Sequence, residues 1–212
     1  YEILVQRTFK SPMRSRTFEL TYVALFLLPL LLVPAAQASR KQRTILIALD
    51  QSGSMVQSDP GRLRVEAAGL LAATENPTDQ VGVLTFGDTA HWLQQPVARD
   101  QFDFNLLDKV GSSDAHTAFS PVLKTVEGYL LRQPPSFFQD NDVSLVLLTD
   151  VRSDPTDKLA DADSSQPLSI AIAGQTAWRL KVYTMGPGTD LDLEFLDSLA
   201  RATDGFSIQA AS

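Results

Sequence analysis

Thr44-Ile45-Leu46-Ile47-Ala48-Leu49, followed at once by Asp50-Gln51-Ser52-Gly53-Ser54-Met55, is the stretch that decides the fold. Five consecutive apolar residues rich in isoleucine and leucine read as a strand buried on both faces, as in a parallel sheet covered by helices. Asp50 then stands at the strand's C-terminal tip, where open α/β sheets bind their ligands. Two serine hydroxyls follow at alternate positions, and Gly53 allows a tight turn, so three hard oxygens converge on one small volume. Such oxygens suit a hard cation such as Mg2+. The same residue types also build ordinary strand-to-helix turns, so the pentapeptide alone does not separate a site from a turn.

Outward from that stretch, 57–60 reads as a polar loop, and the spacing predicts a helix over 62–75 with Leu63, Ala67, Leu70, Leu71 and Thr74 on its inner face. A strand is expected over 80–86, and a second over 91–97 whose Pro96 suits a sheet edge. A short helical segment over 101–110 carries Phe104, Leu107 and Lys109. After the polar turn 111–116, Thr117 precedes a helix running from Phe119 to about Arg132, with Val122, Val126, Tyr129 and Leu130 on one face; as plain structure Thr117 would be an N-cap. A Pro-rich surface loop over 133–142 leads to the second strongly apolar strand, 143–149, and again an aspartate, Asp150, stands at its tip. Beyond it come an acidic loop over 152–166, whose spacing does not match a twelve-residue calcium loop, and a helix over 168–180 carrying Trp178. The chain continues with a strand over 181–185, a turn over 186–188 and a helix over 191–202 with Leu193, Leu196 and Leu199 or Ala200 inward. Gly205 is the expected helix stop, and 206–209 the last strand. This order predicts a doubly wound, mostly parallel six-stranded sheet of Rossmann-like α/β type with one antiparallel edge strand. The strands ending at Asp50 and Asp150 would be neighbours flanking the switch point.

Composition narrows the function classes. The 212 residues suffice for one sizeable α/β domain plus an appendage, and the net charge of −7 is unevenly spread. Residues 1–43 hold seven Lys/Arg against two Glu, while 44–212 hold eleven Lys/Arg against twenty-three Asp/Glu. So acidic a main domain repels phosphate backbones, and nucleic acid is not an expected partner. With no cysteine, disulfides, thiolate metal sites and catalytic thiols are excluded. The apolar stretch from Tyr22 to Ala36 is shorter than the roughly 20 residues a spanning helix needs, and Pro29 and Pro34 interrupt it. Basic residues before it and Ala36-Gln37-Ala38 after it fit a signal peptide cleaved ahead of Ser39, with Met13 as the start. Arg40, Lys41 and Arg43 just beyond fit an uncleaved anchor instead. The expected organisation is a basic segment and signal peptide or membrane anchor over 1–38, a linker over 39–43, and a domain over 44–212 placed outside the cytoplasm: secreted, periplasmic or at the cell surface.

Asp50, Ser52, Ser54, Thr117 and Asp150 sum to two carboxylates and three hydroxyls, a set able to hold one Mg2+ with waters completing its shell. If one carboxylate acts through water, the direct ligands are largely neutral, and the ion stays electrophilic enough to take an anionic sixth ligand. Asp50-x-Ser52-x-Ser54, Thr117 and Asp150 within Leu148-Thr149-Asp150 resemble the metal-ion-dependent adhesion site of von Willebrand factor type A domains, the domain also found in integrins. The resemblance covers about 44–212, and Ser58-Asp59-Pro60 followed by Leu63-Arg64 and Glu66-Ala67 is similar to exported bacterial members. It implies that Ser52, Ser54 and Thr117 bind Mg2+ (or Mn2+ or Ca2+) directly or nearly so, that Asp50 and Asp150 bind it directly or through water, and that a protein ligand's Asp or Glu completes the shell. Membrane association would come through the N-terminal segment or a C-terminal part beyond Ser212. Two departures stand out: Ala115-His116 replaces the glycines often found before the threonine, and the helix that usually follows the last strand is missing, as in a domain truncated at its C-terminus.

An enzyme is the main rival. Aspartyl phosphotransferases place a second Asp two residues after the nucleophile, where Ser52 stands. A Gly-x-Ser-x-Gly elbow and a Gly-x-x-x-x-Gly-Lys loop are both absent. His116 adjoins the expected site, but nothing in its context marks a general base, so no catalytic residue is assigned and a metal-dependent hydrolase is the lesser alternative. The other alternative is a scaffold whose metal stabilises the loops without serving recognition.

Overall fold

The computed structural model describes residues 40–150, 180–187 and 193–210. The expectations for the N-terminal segment, for the acidic loop 152–166 and for most of the helix over 168–180 lie outside those residues. In chain order the described elements are β1 (Gln42–Asp50), α1 (Met55–Ser58), α2 (Leu63–Thr74), β2 (Gln80–Phe86), β3 (Ala90–Ala98), 3-10 turns at Arg99–Gln101 and Phe104–Lys109, α3 (Phe119–Leu130), α4 (Phe137–Asp140), β4 (Asn141–Leu148), β5 (Lys181–Pro187), α5 (Leu193–Arg201) and β6 (Ser207–Ala210).

The six strands form one sheet in the order β3-β2-β1-β4-β5-β6. All neighbours run parallel except β2 and β3, the one antiparallel edge pair expected, and Pro96 lies in the edge strand. Successive side chains of a strand point to opposite faces, so each buried strand feeds two cores. On one face Leu46, Ala48, Leu84, Phe86, Leu145, Leu147 and Val182 meet α3 and α5. On the other, Ile45, Ile47, Leu49, Val83, Val146 and Leu148 meet Ala68 and Ala72 of α2 together with Phe102, Leu107 and Val110. Each of these large side chains contributes about 1.5–3 kcal/mol by leaving water.

Where structure and expectation part, the causes are local. Helix α2 turns Arg64, Ala68 and Ala72 fully inward; of the expected face Ala67 and Leu71 pack half-buried against the same core, while Leu63 and Leu70 are exposed at 52% and 67%. Small alanines let the helix lie close on the sheet, and Arg64 goes inside because its charge finds partners there. The polar loop over 57–60 begins as the short helix α1, and the loop over 133–142 contains α4, whose Phe137 is buried. The helical segment over 101–110 is two 3-10 turns. Gly186 and Pro187 extend β5 instead of turning.

Gly205 is not the left-handed residue after α5; Asp204 is, at φ 57°. A glycine is required at 205 because a Cβ there would lie 1.8 Å from the Val182 carbonyl oxygen of β5.

Candidate functional site

β1 and β4 pair in parallel with Leu49 opposite Leu148, so their C-terminal ends lie side by side. Asp50 closes β1, and Thr149 and Asp150 follow directly on β4. After Asp50 the chain reverses on its own side chain: Asp50 Oδ1 accepts from the Ser52 backbone N–H at 2.8 Å, an Asx turn. Gln51 N–H donates to the Phe86 carbonyl of β2 at 2.8 Å, and Gly53 N–H to the Asp114 carbonyl at 2.7 Å. The serine loop is thereby fixed to the sheet on one side and to the 111–117 loop on the other.

All five expected residues meet. Ser52 Oγ lies 2.9 Å from Ser54 Oγ, and Ser54 Oγ donates to Asp150 Oδ1 at 2.9 Å. Thr117 Oγ1 lies 3.5 Å from Asp50 Oδ2, at the outer limit of a hydrogen bond. Thr117 is not a cap: Ala118 occupies the N-cap position of α3 and makes no side-chain cap bond. Two further hydroxyls join the cluster. Thr149 donates to Asp50 Oδ2, and Ser58 donates to Asp150 Oδ2. Ser58 belongs to the cluster because α1 places it one helical turn after Ser54, whose carbonyl its hydroxyl also reaches at 3.1 Å. The four-residue spacing from Ser54 is informative only where the chain is helical, as α1 makes it. Thr149 sat in view as the residue between β4 and Asp150.

Asp50, Ser52, Thr149 and Asp150 are all 2% exposed or less. Among the described residues neither carboxylate forms an ion pair. Burial raises the Asp50 carboxyl above the ordinary carboxylate range, and the charge of Asp150 adds to that; hydrogen bonds from Thr149 and Ser52 pull the other way. Two buried carboxylates ringed by hydroxyl oxygens are hard donors of the kind that suits a small divalent ion. No group of three or more His, Cys, Asp and Glu side chains is gathered among the described residues, so the set differs from a carboxylate cage. The His91 ring bonds Thr89 at 2.9 Å on the edge strand, and His116 is exposed in the loop before Thr117.

Residues 45–152 match the sequence profile of the von Willebrand factor type A domain. No curated protein sequence matches the chain. Among solved structures, a von Willebrand factor type A protein from Catenulispora acidiphila superposes with a TM-score of 0.61 at 18% identity, over 81% of this chain and 39% of its own length. An aerotolerance-related membrane protein from Bacteroides fragilis gives 0.59 at 18% identity, covering 80% of this chain and 91% of its own. Proximal thread matrix protein 1 of the mussel byssus, in a form with a zinc-occupied MIDAS motif, gives 0.59 at 18%, over 81% of this chain and 42% of its own. The chain thus spans well under half of the Catenulispora and mussel proteins. At these identities the likeness is one of fold.

Proposed function

The chain belongs to the von Willebrand factor type A domain family, and we propose that it is a protein-binding domain that holds a partner's acidic residue through a divalent cation. The observation that carries the reading is the convergence of Asp50, Ser52, Ser54, Thr117 and Asp150 on one cluster, its two carboxylates buried and, among the described residues, without an ion-pair partner. In it Ser52, Ser54 and Thr117 offer neutral oxygens, while Asp50 and Asp150 supply the charge and orient those hydroxyls. Mg2+ is the proposed ion, with Mn2+ or Ca2+ as substitutes; the zinc of the mussel protein's motif supports a divalent ion without fixing which one. Bound there, the ion supplies an electrophilic position for a carboxylate oxygen from a partner. Thr117 is half-buried at the end of a loop tied to the serine turn.

The reading is one of binding: the sequence carries neither the Gly-x-Ser-x-Gly elbow nor the phosphate-binding loop nor the paired aspartates of the enzyme alternatives. We place the domain outside the cytoplasm on the strength of the segment from Tyr22 to Ala38. The test is capture from envelope or surface extracts by the purified chain. A protein retained in Mn2+, released by EDTA and not retained by Thr117→Ala supports recognition through the ion. Retention that EDTA leaves unchanged counts against it, and Mn2+ binding with nothing retained returns the site to a stabilising role.

A further inference from the structure

The geometry points to Arg64 as the positioning residue of this oxygen cluster, an inference that rests on the cation-binding reading above. A charge on the inner face of α2 contradicts its surroundings: Arg64 is 3% exposed and Asp59, its partner at 2.8 Å, is 2% exposed. A buried ion pair is poor evidence of stabilisation, because desolvating both charges offsets much of their attraction. What distinguishes Arg64 is where its other donors go. Nε donates to the Asp50 carbonyl at 2.8 Å, and Nη2 to the Gly111 carbonyl at 2.9 Å and to Ser112 Oγ at 2.8 Å. Asp59 meanwhile accepts from the Leu63 and Arg64 backbone N–H groups at 2.6 and 3.1 Å, fixing the first turn of α2.

One planar fork therefore joins the tip of β1, the start of α2 and the loop that ends at Thr117. That loop is laced to the serine turn by Ser113 N–H to the Gln51 carbonyl at 2.9 Å and by Gly53 N–H to Asp114. The guanidinium reaches none of the cluster oxygens. It acts through backbone, setting where Asp50 and the Thr117 loop stand relative to each other. A lysine keeps the charge opposite Asp59, but as a point donor on a single stem it cannot span Asp50, Gly111 and Ser112 together.

The test compares wild type, Arg64→Lys and Ser112→Ala by Mn2+ titration and by hydrogen exchange of the Gly53 and Ser113 amides without metal. Arg64→Lys is expected to fold but to melt below wild type in EDTA, since buried acceptors lose their donors, to bind Mn2+ about 10–100-fold more weakly, as removal of a supporting contact to ligands does, and to exchange both amides faster. Wild-type Mn2+ affinity in Arg64→Lys, or wild-type exchange at both amides, overturns the assignment and leaves Arg64 a charge partner of Asp59 alone. If wild type itself takes up no Mn2+, the cation reading fails separately, and the exchange rates still decide whether Arg64 holds the loops. Should Arg64→Lys not fold, Ser112→Ala decides: faster exchange at Ser113 supports the role, and unchanged exchange refutes it.

Discussion

Replacing Asp50 by asparagine separates the two faces of the site, its cost without a cation and its use with one. In the cation-free fold the Asp50 carboxyl is raised, first by burial and then by Asp150, so the folded state holds that proton more tightly than the unfolded chain. Folding is then penalised above both pKa values, and the penalty fades as pH falls through the raised pKa towards the ordinary carboxylate value. Asp50→Asn removes the ionisation. In EDTA at pH 7 it should melt at or above wild type, and the gap should close on acidification as wild type takes up its proton. Adding Mn2+ reverses the order. At a hundredfold over Kd a bound ligand stabilises by about 2.7 kcal/mol, and at about 2–4 °C per kcal/mol for a domain of this size wild type should gain about 5–11 °C. The variant should gain little, since one of only two carboxylates is gone. Thermal melts by circular dichroism, in EDTA and in Mn2+ over roughly pH 4–8, from the ordinary carboxylate value upward, read both effects at once. Wild-type melting that Mn2+ does not move, or a variant melting well below wild type in EDTA, would refute the reasoning.

Two further substitutions probe the frame around the site. Gly205→Ala drives a methyl into the Val182 carbonyl at 1.8 Å, so the turn after α5 must lift from β5. Overpacking of this kind costs about 1–3 kcal/mol or more, and urea unfolding should show a lower midpoint with an unchanged slope. On α2, Leu70→Lys at a 67%-exposed position should leave stability within about 0.5 kcal/mol of wild type, whereas Ala68→Leu, fully buried against the sheet, should cost about 1–3 kcal/mol; equal effects would mean the helix presents another face.

The strands were legible because burial on both faces leaves an unbroken apolar run, and β2 ends where the sequence reading ends it. The five oxygen donors were legible for a related reason: a parallel sheet brings strand tips together, and Asp50 and Asp150 both sit at tips. Helix α2 was less so. Its buried face is made of alanines and one arginine, so hydrophobicity favours Leu63 and Leu70, and only the Asp59 partner and the carbonyls around the guanidinium explain why a charge goes inside. Ser58 and Thr149 escaped because a hydroxyl carries no periodic signal; their place follows from α1 and from the β1–β4 register.

The spacing of the cluster along the chain has a kinetic consequence. The contact from Thr117 to Asp50 spans 67 positions, and that from Ser54 to Asp150 spans 96. Loops of that length close late and must be drawn together by strand pairing before the oxygens can meet. A cation therefore has nothing to grip in the unfolded chain and cannot seed the fold. Once β4 has docked beside β1, the same ion becomes a reversible cross-link between the serine turn, the Thr117 loop and the tip of β4, slowing their separation more than it hastens their assembly.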